Sequence, residues 1–302
     1  MFDAHAHVIS PDVARYPRAS MKGGAPQSEP EGIDASAESL IAKMDASGVR
    51  QACAVQRAFI YGFDNSYILD ACRQYPDRLL PVLVVDATDP ATPAMLRTLA
   101  RSQRLGGIRL SAPVPQPRDV DWLSSREAMD TWRTADELGL PIAVIMFRTQ
   151  RKLVLQEIGS LAKRFPKLPI VIDHVGIPHG TIYDGPFAKV PESSHPAEGA
   201  PTYGVDTDLL RLADLQNIFF KITSINFRRL AASGVALASF VCHLASTFGV
   251  DRLMWGSDIG QTPGTYDEMA RAARQSVDAL ALGERKQVLW GTACSVYRGS
   301  RA

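Results

Sequence analysis

Residues 80–85 read Leu-Pro-Val-Leu-Val-Val, and residues 169–174 read Pro-Ile-Val-Ile-Asp-His. Short, unbroken apolar runs of this kind fit strands covered on both faces, as in a parallel sheet. Outward from these two, similar runs recur along the whole chain. The strand candidates are Phe2–Val8, Gln51–Gln56, Leu80–Val85, Gly106–Leu110, Pro141–Phe147, Pro169–His174, Ile218–Thr223 and Leu253–Asp258. Between them the apolar period changes to that of a helix. Ala37, Leu40, Ile41 and Met44 fall at i, i+3, i+4 and i+7, and Gly48 follows as a stop. Val154, Ile158, Leu161, Ala162 and Phe165 repeat the pattern, and Pro166 ends it. Further helices are expected over 66–75, 90–104, 123–138, 206–216, 234–248 and 265–281. Eight strands alternating with helices predict an α/β protein, a single (β/α)8 TIM barrel over residues 1–302. The alternative, a doubly wound open sheet, lacks its usual companion: no G-x-G-x-x-G or Walker A loop follows any strand.

Two connections stand out by length, 10–35 after the first strand and 175–205 after the sixth. Both are rich in Pro, Gly and Ser, and both are βα loops. They therefore belong to the barrel end that carries active sites. Long loops in compact domains are commonly lids or binding loops, and these two are read as lids over one pocket.

Composition narrows the function classes. Basic and acidic residues number 33 and 32, a net charge of +1, and no Lys/Arg block occurs. A nucleic-acid partner normally shows a basic stripe, so none is expected. The four cysteines, Cys53, Cys72, Cys242 and Cys294, form no C-x-x-C pair and no disulfide framework. No stretch of about 18 apolar residues and no signal-type N-terminus occur, so the expectation is a cytoplasmic protein. A small-molecule substrate is the expected partner, and a homodimer is the default assembly.

The chemistry-bearing residues sit where the predicted strands end. In Asp3-Ala4-His5-Ala6-His7 the two histidines are two apart on a strand and share a face. Two imidazoles so placed can bind one metal or polarise one carbonyl. His174 ends the sixth strand in Ile172-Asp173-His174-Val175-Gly176, and Asp258 ends the eighth in Met254-Trp255-Gly256-Ser257-Asp258. A lone histidine is more often a core or surface residue, and an aspartate near Gly260 can simply cap a turn. What raises these four is convergence, since the fold brings strand ends together. Strands one and eight are neighbours in a closed barrel, which sets Asp258 beside the His pair.

Around them stand candidate substrate contacts. Arg109 ends the fourth strand and Arg148 the fifth, each with a fork suited to a carboxylate. Gln56 ends the second strand, and Tyr61 follows in YGFDN. Asp64 or Asn65 is read as a helix cap. Lys221 on the seventh strand suits an ion pair inside the barrel, and His179 a loop contact. His195 and His243 are read as a lid and a helix residue.

In order, DAHAHV, GGIRL, IVIDHVG, FFKITS and LMWGSD resemble the amidohydrolase-related family of the amidohydrolase superfamily. More narrowly, they resemble its lactonase group, which covers 2-pyrone-4,6-dicarboxylate lactonase, sulfomuconolactonase and sugar-acid lactonases. HVISPDVARYPRA and the VQ…YGFDNSY segment add to it, so the resemblance spans nearly the whole chain. It implies a (β/α)8 barrel in which His5, His7 and His174 surround the reacting carbonyl and Asp258 activates water. It implies that His5, His7, His174 and Asp258 hold one divalent metal, zinc or manganese, if a metal is bound; some members of the group use none. The departures are informative. Strand four offers no Lys to carbamylate, and strand five no His or Glu at its tip, so a two-metal site is not expected. The dicarboxylate lactonase has an Arg three residues after the strand-six histidine, where this chain has Ile177. The usual Asn-Ala pair near the C-terminus is Thr292-Ala293 here and is read as structural.

The expected reaction is hydrolysis of a lactone on a small, carboxylate-bearing molecule. The rivals are metal-dependent non-oxidative decarboxylation, also found in this branch, and a barrel that has lost catalysis and only binds.

Overall fold

A computed structural model describes residues 1–21, 34–112, 119–147, 149–176 and 203–298. Eight parallel strands lie in one sheet in chain order. They are β1 (Phe2–Ala6), β2 (Gln51–Val55), β3 (Leu79–Val84), β4 (Gly107–Leu110), β5 (Ile142–Val144), β6 (Ile170–Ile172), β7 (Ile218–Thr223) and β8 (Leu253–Gly256). The sheet curls until its last strand meets its first. Asp258 N donates to His5 O at 2.7 Å, and His7 N donates to Ile259 O at 3.0 Å. This is a (β/α)8 barrel, as the alternation predicts. Among the described residues, no helix is long and apolar enough to cross a membrane.

Strand periodicity sorts the side chains into two cores. Leu80, Val82, Ala143, Val171 and Met254 face the barrel interior. Their neighbours Leu79, Leu83, Ile170, Ile172, Leu253 and Trp255 face the surrounding helices. Both faces are apolar because both are covered, which is why these strands read as continuous runs.

The helices are α1 (Ala37–Ala46), α2 (Ala58–Tyr61), α3 (Ser66–Gln74), α4 (Thr92–Ser102), α5 (Asp121–Ser124), α6 (Ala128–Leu138), α7 (Arg151–Arg164), α8 (Thr207–Leu210), α9 (Ser224–Ala232), α10 (Leu237–Phe248), α11 (Tyr266–Ser276), α12 (Leu282–Lys286) and α13 (Thr292–Arg298), and they depart from expectation in places. The segment 123–138 splits into α5 (Asp121–Ser124) and α6 (Ala128–Leu138). The segment 206–216 shrinks to α8 (Thr207–Leu210), capped by Asp206, whose side chain accepts from Leu209 N. The β7–β8 crossover holds two helices, α9 (Ser224–Ala232) and α10 (Leu237–Phe248), where the apolar pattern shows only the second. Beyond 281, the helix α13 (Thr292–Arg298) closes the barrel floor. Its Tyr297 stacks on Phe2 with centroids 6.5 Å apart, and Ala293 and Val296 join the interior core.

Candidate active site

Period two along the strands decides which groups face inward. On β6, Val171 points inside, so Asp173 does too. On β4 the inward residue is Arg109, flanked by the outward Ile108 and Leu110. On β7 it is Lys221, between the outward Phe220 and Ile222. β1 needs one more device. Phe2 and Ala4 face inside, whereas Ala6 and Val8 join the outer core. The change of phase coincides with a register irregularity between Asp3 and Ala6 against β2. A bulge of this kind re-aims side chains, and here it turns His5 and His7 into the barrel.

The four residues read from the strand ends do meet. His5 Nε2 lies 3.5 Å and His7 Nε2 3.4 Å from Asp258 Oδ1. His5 and His174 rings are 5.3 Å apart. His174 and Asp258 lie two residues beyond their strands, in left-handed backbone with φ of 54° and 57°; Val175 follows at 59°. Non-glycine residues with such angles are strained and cluster at functional sites.

Hydrogen bonds fix what two imidazoles present. His7 Nδ1 is 2.8 Å from Val55 O, and a carbonyl only accepts, so Nδ1 carries the proton and Nε2 a lone pair. The Thr223 hydroxyl donates to Asn226 Oδ1, so His174 Nδ1, 2.7 Å from that hydroxyl, donates to it. His174 Nε2 is therefore bare as well. Asn226 Nδ2 also holds the His174 carbonyl at 3.0 Å. Asp258 Oδ2 accepts from the Thr262 hydroxyl at 2.5 Å, while its buried Oδ1 has no hydrogen-bond partner.

Burial lowers the affinity of His5, His7 and His174 for a proton, outweighing the nearby carboxylates that act the other way. The Thr262 hydroxyl, which donates to Asp258 Oδ2, favours the charged form of that carboxyl. At neutral pH the set is thus three neutral imidazoles around one carboxylate. His5, His174 and Asp258 offer ligand atoms within 4.8 Å of one another, a donor set that fits one divalent cation. The orphaned Asp258 Oδ1 and the outward lone pairs are what such an ion needs.

The remaining candidates fare differently. Arg109 is buried, with Nε 2.7 Å from Asp173 Oδ2; no hydrogen bond among the described residues takes its Nη groups. Gln56 Nε2 holds Gly62 O and Asp64 O, both at 2.8 Å, and its Oε1 is buried without a hydrogen bond. The Tyr61 hydroxyl accepts from Ser10 N at 2.8 Å and Arg18 Nη1 at 2.9 Å, so it ties the β1 loop to the wall. Lys221 pairs with Asp173 at 3.1 Å. Arg148, His179 and His195 lie outside the described residues, as do 22–33 and 177–202 of the two long loops. His243 is on α10, against Tyr203. Asp64 caps Ser66, but Asn65 does not cap: it bridges to Val84 N and O at 2.9 Å each.

Comparison with known proteins gives the family and the fold. The amidohydrolase family profile matches residues 2–299. The chain belongs to that family. This amidohydrolase is 27% identical over 277 residues to an L-fucono-1,5-lactonase of Burkholderia ambifaria, covering 87% of this chain and 84% of that protein. Its fold matches a probable 2-pyrone-4,6-dicarboxylic acid hydrolase from Acinetobacter baumannii with citric acid bound (TM-score 0.69, 21% identity, 98% of each chain). It also matches an amidohydrolase from Burkholderia multivorans with bound zinc (TM-score 0.64, 21% identity, 98% of each chain).

Proposed function

We propose that this amidohydrolase opens a lactone by base-activated attack of water. The observation that carries the reading is the bare, buried Asp258 Oδ1, set among three neutral imidazoles. Asp258 takes a proton from water, and the water attacks the ring carbonyl. His5, His7 and His174 surround the oxygen on which charge develops, where fixed polar groups act most strongly. Asp258 then returns its proton to the leaving alkoxide. A divalent cation, zinc or manganese, held by His5, His174 and Asp258 would polarise the carbonyl and acidify the water. The sugar-lactone relative and the zinc-bearing neighbour support both halves of this reading.

The substrate side follows from the donors left over. Arg109 turns Nε to Asp173 and offers Nη groups to a substrate carboxylate. Gln56 Oε1 accepts from a substrate hydroxyl. Tyr61, its hydroxyl already engaged, shapes the wall. Arg148 and His179 remain proposed substrate contacts.

The test is a screen of purified protein against sugar-acid lactones and pyrone carboxylates, with and without chelator. Ring opening is expected, and Asp258→Asn should lower kcat by about 10²–10⁴-fold, the usual worth of general acid–base help. A variant that keeps activity within about tenfold of the parent, against that range, refutes the base assignment. Release of CO2 from an aromatic carboxylate, without ring opening, would replace hydrolysis by decarboxylation.

A further inference from the structure

Beside the proposed ligands lies a charged group of which the reaction uses only Arg109, as a substrate contact. Asp173, Lys221 and Arg109 are all buried in the barrel interior. Asp173 Oδ2 accepts from Arg109 Nε. Asp173 Oδ1 lies 3.1 Å from Lys221 Nζ and 3.4 Å from His5 Nδ1, yet no hydrogen bond reaches it. Lys221 Nζ is within hydrogen-bond distance of His5 Nδ1, at 3.3 Å. An ammonium can only donate, and a carboxylate can only accept. His5 Nδ1 therefore has one neighbour of each kind within 3.4 Å.

A neutral imidazole carries one proton, on one nitrogen or the other. With Nδ1 bare, Lys221 serves it, and Nε2–H points at the lone pair of His7 Nε2, 3.3 Å away. With the proton on Nδ1, Asp173 Oδ1 takes it, and Nε2 presents a lone pair among the other ligand atoms. His7 has no such choice, because the Val55 carbonyl only accepts, and the Thr223 hydroxyl, which gives its own proton to Asn226, takes one from His174 Nδ1.

We propose that Asp173 and Lys221 are a positioning couple that lets His5 exchange tautomers. His5 carries its proton on Nε2 in the metal-free protein and on Nδ1 when a divalent cation is bound. The ring loses a proton at one nitrogen and gains one at the other, so its charge is unchanged. The inference rests on the reading of His5 as a ligand in the proposed site.

The experiment is ¹⁵N NMR of the His5 ring in the full chain, with and without Zn²⁺. The proton is expected on Nε2 without metal and on Nδ1 with it. In Lys221→Met only the acceptor remains, so the metal-free ring should already carry its proton on Nδ1. Asp173→Asn should weaken Zn²⁺ binding by about 10–100-fold, as loss of an outer partner commonly does. Should that variant fail to fold, Asp173→Asn combined with Lys221→Met removes one charge of each sign and carries the same measurement. The same protonated nitrogen in all three states, or unchanged Zn²⁺ affinity in the Asp173 variants, overturns the proposal. If Zn²⁺ does not bind at all, its metal half is lost, and the parent against Lys221→Met still decides the rest. No readout involves turnover, so failure here is distinct from failure of the lactonase reading.

Discussion

Asp258 gives one oxygen to Thr262 and leaves the other bare, and that asymmetry aims the carboxylate. A hydrogen bond to a charged group contributes about 1.5–3 kcal/mol, or roughly 10–150-fold in a rate if all of it orients the base. Thr262→Val should therefore lower kcat on a cognate lactone by one to two orders of magnitude, while KM changes little. Steady-state kinetics check this, and an unchanged kcat removes Thr262 from the account. At this scale the sequence is partly legible. His5, His7, His174 and Asp258 are visible because each closes an apolar run. Asp173 is present in IVIDHVG, but its role is not, because its partners Arg109 and Lys221 lie 64 and 48 residues away. Only the barrel's register sets them opposite one another. Asn65 misleads for a related reason: its amide mimics a strand neighbour for Val84, a contact across 19 residues that outcompetes the local cap.

The strands show what alternation can and cannot give. All eight are legible, since doubly covered strands leave continuous apolar runs. The bulge in β1 is not, because it is a phase shift with no residue signature, yet without it His5 would face the helices. α9 escapes detection because its apolar positions are few; Thr223 and Asn226 three apart, a cap-like pair before it, are the available signal. β8 must approach β1 closely for Asp258 to reach the histidines. A Cβ at Gly256 would stand 2.6 Å from His5 Cβ. Gly256→Ala should thus push the two strands apart, costing about 1–3 kcal/mol as overpacking does. Denaturant midpoints and turnover should fall together; a variant with parental midpoint and rate would show that the approach is unimportant.

Across the whole molecule, the buried titrating groups give stability a direction with pH. Burial first sets His5, His7 and His174 below their ordinary 6.5. Between the folded and unfolded values the unfolded chain binds more protons, so stability falls as pH drops below about 6.5. Asp173 acts in the same sense at lower pH. Burial would raise it, but Lys221 and Arg109 hold it well below its ordinary 3.8, so its contribution is lost on further acidification. Calorimetry should find Tm falling steadily from about pH 7 toward about pH 5, the window in which these imidazoles charge on unfolding. A Tm indifferent to pH over that range would contradict the neutral-imidazole assignment.

The line along which the sheet meets itself has a consequence for motion. β1 and β8 stand at opposite ends of the hydrogen-bonded strand order. Beside the two backbone bonds, one side chain stitches their junction: Asp3 Oδ1 accepts from Ser257 N at 2.8 Å, and Asp3 Oδ2 accepts from Tyr266 OH on the following helix at 3.0 Å. A zip closed by so few stitches is where a barrel should breathe first, and amide deuteration at Ser257 and Asp258 would report it. His5 and His7 ride on one lip and Asp258 on the other. Each opening thus pulls the reactive groups apart, and any guest that spans both lips fastens the barrel shut.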